Sequence, residues 1–385
     1  MSNNGKISRE PLFHVVKREA MPKWKEMLYL LGAVLLSLVF GAIFCGIISN
    51  NSPFAFFKYL FDGVFKTKRR IWVALKDMAL LLGVAIALLP AFKMKFWNLG
   101  GNGQVLMGCL AAVVCMKFLG GKMPDWSINI IMIVASILAG AIWAVIPAIF
   151  KAFFKTNESL FTLMMNYIAV GIVNWFITKY SNSGSNTLLP ISTGNLPKVG
   201  NEYLLTIIVI AVVTAIMIIY FKFSKHGYEV SVVGESENTA RYIGINVKKV
   251  VIRTVALSGA ICGIVGLLIV GAINKTITPN SANNMGFTAI MVAWLAKLNP
   301  ITMIFAAFFV TFVNNGMSVV RTEFGLTSSA ASNIVLGFIY FFVIACDFFI
   351  TYKLIFRQSK KTKKEKKANT SEVVAEEKNK EGDGE

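Results

Sequence analysis

The 385-residue chain is poor in the residues that carry chemistry. It has only two histidines, His14 and His226, and both lie outside the apolar runs. No HExxH pair, cysteine pair or Ser/His arrangement is present, so an enzyme working inside a membrane has no groups to work with. The GxxxxGK[ST] phosphate loop is absent, which excludes binding and hydrolysis of ATP by this chain itself. Charged residues make up only 15% of the sequence, and the apolar runs hold few acids. A proton- or sodium-coupled carrier needs such acids at mid-membrane. The five cysteines (Cys45, Cys109, Cys115, Cys262 and Cys346) all fall in apolar runs without metal-ligand spacing, and read as small packing residues. Neither a metal nor a cofactor is expected.

What is present is hydrophobic length. Apolar residues make up 55% of the chain, the mean hydropathy is +0.62, and runs of roughly 20 residues recur, enough to cross a bilayer as helix. The expected fold is all-α, a polytopic transmembrane bundle, because helices satisfy their own backbone groups in lipid. Ten spans are expected near 27–49, 71–92, 102–119, 127–150, 159–179, 203–222, 254–273, 286–297, 300–319 and 330–351. The eighth is short for a crossing and reads as a half-helix or a tilted, buried segment. The first follows a polar, basic stretch (1–26) and is too long for a signal-peptide core, so it reads as a retained span. The domain expectation is a membrane region over 27–352 and a charged, disordered tail over 353–385.

The net charge of +19 raises nucleic acid as a partner, but the Lys and Arg cluster at span ends and in the tails, where they orient a protein in lipid. Lys17, Arg18, Lys23, Lys25 and the Lys-rich tail place both ends in the cytoplasm, together with Lys93, Lys95, Lys151, Lys155 and the loop 223–253. Lys66, Lys68, Arg69 and Arg70 run against this, lying outside after the amphipathic stretch PFAFFKYLFDGVF. Asp77 and Lys76 read either as a functional intramembrane acid or as a snorkelling ion pair.

One internal loop is long and charged enough to dock another protein. Within it Gly234-Glu235-Ser236-Glu237 reads as a helix start, acids facing the helix dipole, and Gly244 as its stop. The two-turn helix between them, with Thr239, Ala240 and Ile243 on one side, is too short to stand alone in water. Three further segments are unusual: FWNLGGNGQVLMG (96–108), where glycines break the chain beside Asn98, Asn102 and Gln104; NESLFTLMMNYIAVGIVNW (157–175), with Asn166 and Asn174 in an apolar helix; and GFTAIMVAWLAKLNPI (286–301), which closes on Asn299-Pro300. Irregular backbone at membrane depth is tolerated where it is buried or lines a cavity. Gly259, Gly263 and Gly266 read as close helix packing.

Taken in order, these segments resemble permease subunits of ABC importers of the branched-chain amino acid and simple sugar class, above all the nucleoside-type branch that works with basic-membrane-protein lipoproteins. The counterparts are Phe96 to Gln104, Glu158 to Ala169, Gly234 to Ile245, Ser258 to Gly266, and Gly286 to Pro300. The resemblance implies a separate ABC ATPase gripping the loop through Glu235, Glu237, Thr239, Ala240, Arg241 and Gly244. It implies a solute path beside Asn98, Asn102, Gln104, Asn166 and Phe287. The partners it implies are a second homologous permease, a substrate-binding lipoprotein and membrane lipid, with no nucleic acid. Asn102 stands where the branch carries a glutamate, and Asn238-Thr239-Ala240 where it carries Glu-Ala-Ala. Nucleosides are the expected cargo, with simple sugars or branched-chain amino acids as alternatives. The rival of another class is a secondary carrier that needs no ATPase.

Overall fold

A computed structural model describes residues 13–18, 22–181, 187–326 and 330–356, in two compact units. The expected disordered tail lies largely beyond the described residues. The smaller unit joins residues up to 41 with those from 337 onward. Its centre is an antiparallel ladder in which β1 (Phe13–Lys17) pairs with β2 (Tyr352–Phe356), Lys17 opposite Tyr352. The Arg18 amide extends the ladder to the Thr351 carbonyl at 2.9 Å. The ladder joins the chain just before α1 (Lys23–Ser49) to the chain just after α13 (Ala330–Thr351), so the start of the first long helix lies close to the end of the last. No strand was foreseen here. The segments are too short and too close to the ends of the spans to show a period of their own.

The larger unit holds α2 (Pro53–Phe65), α3 (Lys68–Lys93), α4 (Gly101–Leu119), α5 (Asp125–Phe154), α6 (Glu158–Tyr180) and α7 (Leu204–Phe223). It continues with α8 (Lys225–Glu235), α9 (Glu237–Tyr242), α10 (Val247–Leu267), α11 (Met285–Leu295) and α12 (Pro300–Glu323). Among the described residues nine helices are long and apolar enough to cross a membrane. The tenth expected span is the short one. With 11 residues and a rise of about 1.5 Å each, α11 cannot cross alone. It is bounded by Asn284, at a left-handed φ of 54°, and by Asn299-Pro300. Where the tenth span was expected, 275–299 is irregular chain followed by a short helix.

The helices start where the sequence provides acceptors for their free N–H groups. Thr67 Oγ1 takes the Arg70 amide, Asn157 Oδ1 the Leu160 amide, Asn246 Oδ1 the Lys249 amide, and Asn299 Oδ1 the Ile301 amide. Once formed, α3 is the central helix, with every residue from Ala79 to Phe92 buried. Beside it α4, α5 and α10 meet along glycines. Gly140 lies against Gly259, Gly263 against Ser136, and a Cβ on Gly108 would sit 2.7 Å from the Gly263 Cα. Without a hydrophobic force between helices in lipid, such close approach is what gives dispersion its hold. The glycines of the LSGAICGIVG segment thus act in packing. Beyond them α10 widens into a π-helical turn, Leu268–Asn274.

The amphipathic stretch forms α2, which buries Phe56, Leu60 and Val64 and rests Gly63 on Gly316 of α12. Asp62 anchors the basic cluster behind it, pairing with Lys66 at 3.6 Å and accepting from Arg70 at 2.8 Å through its carbonyl. Asp77 is paired rather than lone: Lys76 stands 2.7 Å away and Asn315 donates to it at 3.2 Å.

Candidate functional site

Between α3 and α4 the chain runs irregularly from Met94 to Gly100, and the amides of the sequence motif gather around it. Asn98 is fully buried; its Nδ2 donates to Gln104 Oε1 at 3.4 Å and to Ser258 Oγ on α10 at 3.2 Å. Its Oδ1 accepts from Gln104 Nε2 and from the Gly100 amide, both at 3.1 Å. From α6, Asn166 accepts the Gly103 amide and donates to the Leu99 carbonyl, each at 2.8 Å. Thr162 Oγ1 takes the Leu99 amide at 3.1 Å. Asn102 reaches across to α11, where its Oδ1 accepts the Gly286 amide at 2.7 Å. The start of α4 is thus tied to α6, α10 and α11, and the backbone groups that irregular chain leaves open are taken up by side-chain amides. A buried group left unpaired costs about 1–3 kcal/mol, so these side chains are what let the break exist.

The sequence-predicted residues Asn98, Asn102, Gln104 and Asn166 therefore come together at one helix start. Phe287 stands near them on the first turn of α11, 40% exposed. Two partners, Ser258 and Thr162, were not singled out, because a hydroxyl inside an apolar helix gives no periodic signal. Trp97 and Trp294 were missed too. They stack at 5.5 Å with 23° between planes, though 197 positions separate them. Asn174 faces outward from α6 at membrane depth, along with Tyr167 and Trp175.

At the end of α3 lies the second locus, α8 and α9. The helix start read at Gly234 is corrected by the structure. Gly234 and Glu235 belong to α8, and the cap is Ser236, whose Oγ accepts the Thr239 amide at 3.2 Å. Gly234 is needed in α8 because it lies directly on the Lys93 carbonyl, where a Cβ has no room. Glu237 keeps its expected place in the first turn of α9. Gly244 ends the turn at φ +84°, a conformation that penalises any Cβ.

What holds so short a helix is a core of Ala91, Met94, Phe96, Ala148, Val230, Val233, Ala240 and Val251. Ala240 is 0% exposed and points into that core, away from any docking partner. Glu235, Glu237, Thr239, Arg241 and Gly244 are exposed, as is Tyr242 at 93%. Arg253 of α10 clamps α8 through Glu229 at 2.6 Å. A cleft of 170 Å³ beneath the hairpin is bordered by Lys95, Phe96, Glu235 and Glu237 and by the Lys151–Glu158 ion pair, 2.7 Å long, at the α5–α6 turn. Phe96, which packs in the core under the hairpin, stands two residues before Asn98. Among the described residues no three His, Cys, Asp or Glu are grouped as a metal would need.

Comparison with known proteins agrees with this layout. The chain is 26% identical to the guanosine ABC transporter permease of Bacillus subtilis, over 81% of this chain and 91% of that one. With the nucleoside ABC transporter permease of Lactococcus lactis it shares 25% identity, over 86% and 94% respectively. A glucose ABC transporter permease of Haloferax volcanii is 25% identical over 73% and 77%. The profile described as the branched-chain amino acid transport system permease component matches residues 73–344, well over half of the chain. On that match, this chain belongs to that family of membrane permease components.

Proposed function

We propose that the chain is the permease subunit of an ABC importer for nucleosides. As a permease component it is no enzyme, and it works with an ATPase and a substrate-binding protein. The observation that carries the reading is α9: a two-turn helix locked by Ala240 into the chain's own core while Glu237, Thr239, Arg241 and Tyr242 face outward. In this reading the ATPase grips that outward surface together with Glu235 and Gly244, on the cytoplasmic side. Ala240 acts as the anchor that transmits its motion to the α3–α4 break. The solute path passes the start of α4, its wall shaped by Asn98, Asn102, Gln104 and Asn166 and faced by Phe287.

A second, similar permease completes the pore. Supporting this is Asn174, an exposed amide within the apolar helix α6, which protein or water covers better than lipid. A lipoprotein delivers solute on the face opposite the hairpin. The cargo follows the two nucleoside-type relatives, with sugar and branched-chain amino acid kept as comparison solutes.

Purification from native membrane should bring down a second polytopic subunit and an ATPase, without bound nucleic acid. Vesicles containing the assembly should take up labelled guanosine only with ATP and the binding protein. A lone chain that moves solute without ATP refutes the importer reading and installs the secondary carrier. Uptake of glucose or leucine but not guanosine refutes the cargo.

A further inference from the structure

We infer that Trp97, Trp294 and Phe287 form a stacking surface that receives the planar heteroaromatic base of the cargo. The inference deepens, and rests on, the nucleoside reading above.

Trp97 and Trp294 are 43% and 49% exposed although they stack on each other, and Phe92 meets the Trp97 ring edge-on at 6.2 Å. The pair is therefore fixed from behind and open in front. On α11, Phe287 and Trp294 are seven residues apart, so they share one outward face. At the head of that face, three and four residues before Phe287, stand the exposed amides Asn284 and Asn283. Asn284 makes no side-chain cap hydrogen bond. A face turned to lipid does not carry exposed amides at its head, because apolar surroundings penalise them. Aromatic rings beside hydrogen-bonding amides match a flat base joined to a hydroxylated sugar. Both nucleoside-type relatives are named for such cargo, and a flat base brings a π-face to stack, whereas glucose brings only a C–H face.

The surface also lies where motion of the break reaches it. Trp97 adjoins the buried Asn98, and Gly286 is held by Asn102. Displacement of the α4 start would shift the two tryptophans against each other, since one precedes α4 in the chain and the other is carried by α11, which Asn102 ties to it.

The test uses the complete importer in vesicles, with binding protein loaded with either guanosine or uridine. Uptake efficiency is read as a guanosine-to-uridine ratio, in which the docking of the binding protein cancels. Trp97→Ala and Trp294→Ala should lower guanosine uptake about 5- to 150-fold, the range for one lost base-stacking partner. Uridine, with its smaller ring, should suffer less, so the ratio falls. Trp97→Phe and Trp294→Phe should recover most of the loss, and 8-azidoguanosine illuminated in the wild-type importer should label a peptide containing Trp97, Phe287 or Trp294. An unchanged ratio in both alanine variants, or phenylalanine variants as impaired as alanine ones, overturns the stacking surface and leaves the nucleoside reading standing. A wild-type importer that moves no nucleoside overturns both. Membrane levels of each variant are measured alongside, and Trp294→Ala, half exposed, keeps the test open should Trp97→Ala fail to insert.

Discussion

A single methyl group at Gly234 should separate ATP hydrolysis from transport. A Cβ built there overlaps the Lys93 carbonyl oxygen and comes within 3.0 Å of the Lys93 carbonyl carbon and 3.2 Å of the Met94 Cα. All three are backbone atoms, so no side chain can swing aside, and α8 must back away from the end of α3. Overpacking of this kind costs about 1–3 kcal/mol. Alanine returns about 0.5–1 kcal/mol through its better helix propensity. The net loss of about 0–2.5 kcal/mol shifts the ratio of seated to unseated hairpin by up to roughly 70-fold. The matching control is Gly32→Ala in α1, where a Cβ meets nothing within 4 Å and the substitution should be neutral or favourable. In vesicles holding the whole importer, ATP consumed per solute imported should rise for Gly234→Ala and stay constant for Gly32→Ala. If Gly234→Ala keeps the wild-type ratio and the wild-type unfolding temperature, α8 does not depend on its seat at Lys93, and the coupling argument fails with it.

Further outcomes follow from the same geometry. Ala240→Arg forces a charge into a fully buried position; the protein should insert, but ATPase stimulation by loaded binding protein should be lost. Asn166→Ala strips an acceptor from the Gly103 amide and a donor from the Leu99 carbonyl. At about 1–3 kcal/mol for each unpaired group it should markedly lower the unfolding temperature in detergent, with Asn166→Asp in between. Arg253→Met leaves the half-buried Glu229 carboxylate without its 2.6 Å partner. A loss of about 1.5–3 kcal/mol is expected, mostly recovered by Arg253→Gln paired with Glu229→Gln, as unfolding curves of single and double variants would show.

Much of this fold could be read before any coordinates, because length and hydropathy alone mark a membrane-crossing helix. The run from Leu80 to Phe92 in α3 and the glycines of α10 announced a span and a close contact respectively. The short segment before Asn299-Pro300 was already too short to cross. The glycine break was legible as well, since three glycines among amides have no place in a lipid-facing helix. Less visible was the use made of those amides. Nothing local says that Asn102 caps Gly286, 184 positions away. The stacking of Trp97 on Trp294 is hidden for the same reason. In the hairpin the acids at 235 and 237 suggested one helix start, yet Gly234 closes the preceding helix instead. The deciding contact, the Lys93 carbonyl, comes from another helix.

The β1–β2 ladder has a consequence for protein engineering. With Phe13 opposite Phe356 at the outer ends of the two strands, a flexible linker of a few residues from Phe356 to Phe13 would close the chain into a ring. The ring could then be cut at an exposed bend such as Lys122–Met123, between α4 and α5, giving a circular permutant with new ends there. Reporter domains fused to those new ends would read directly which side of the bilayer that bend faces.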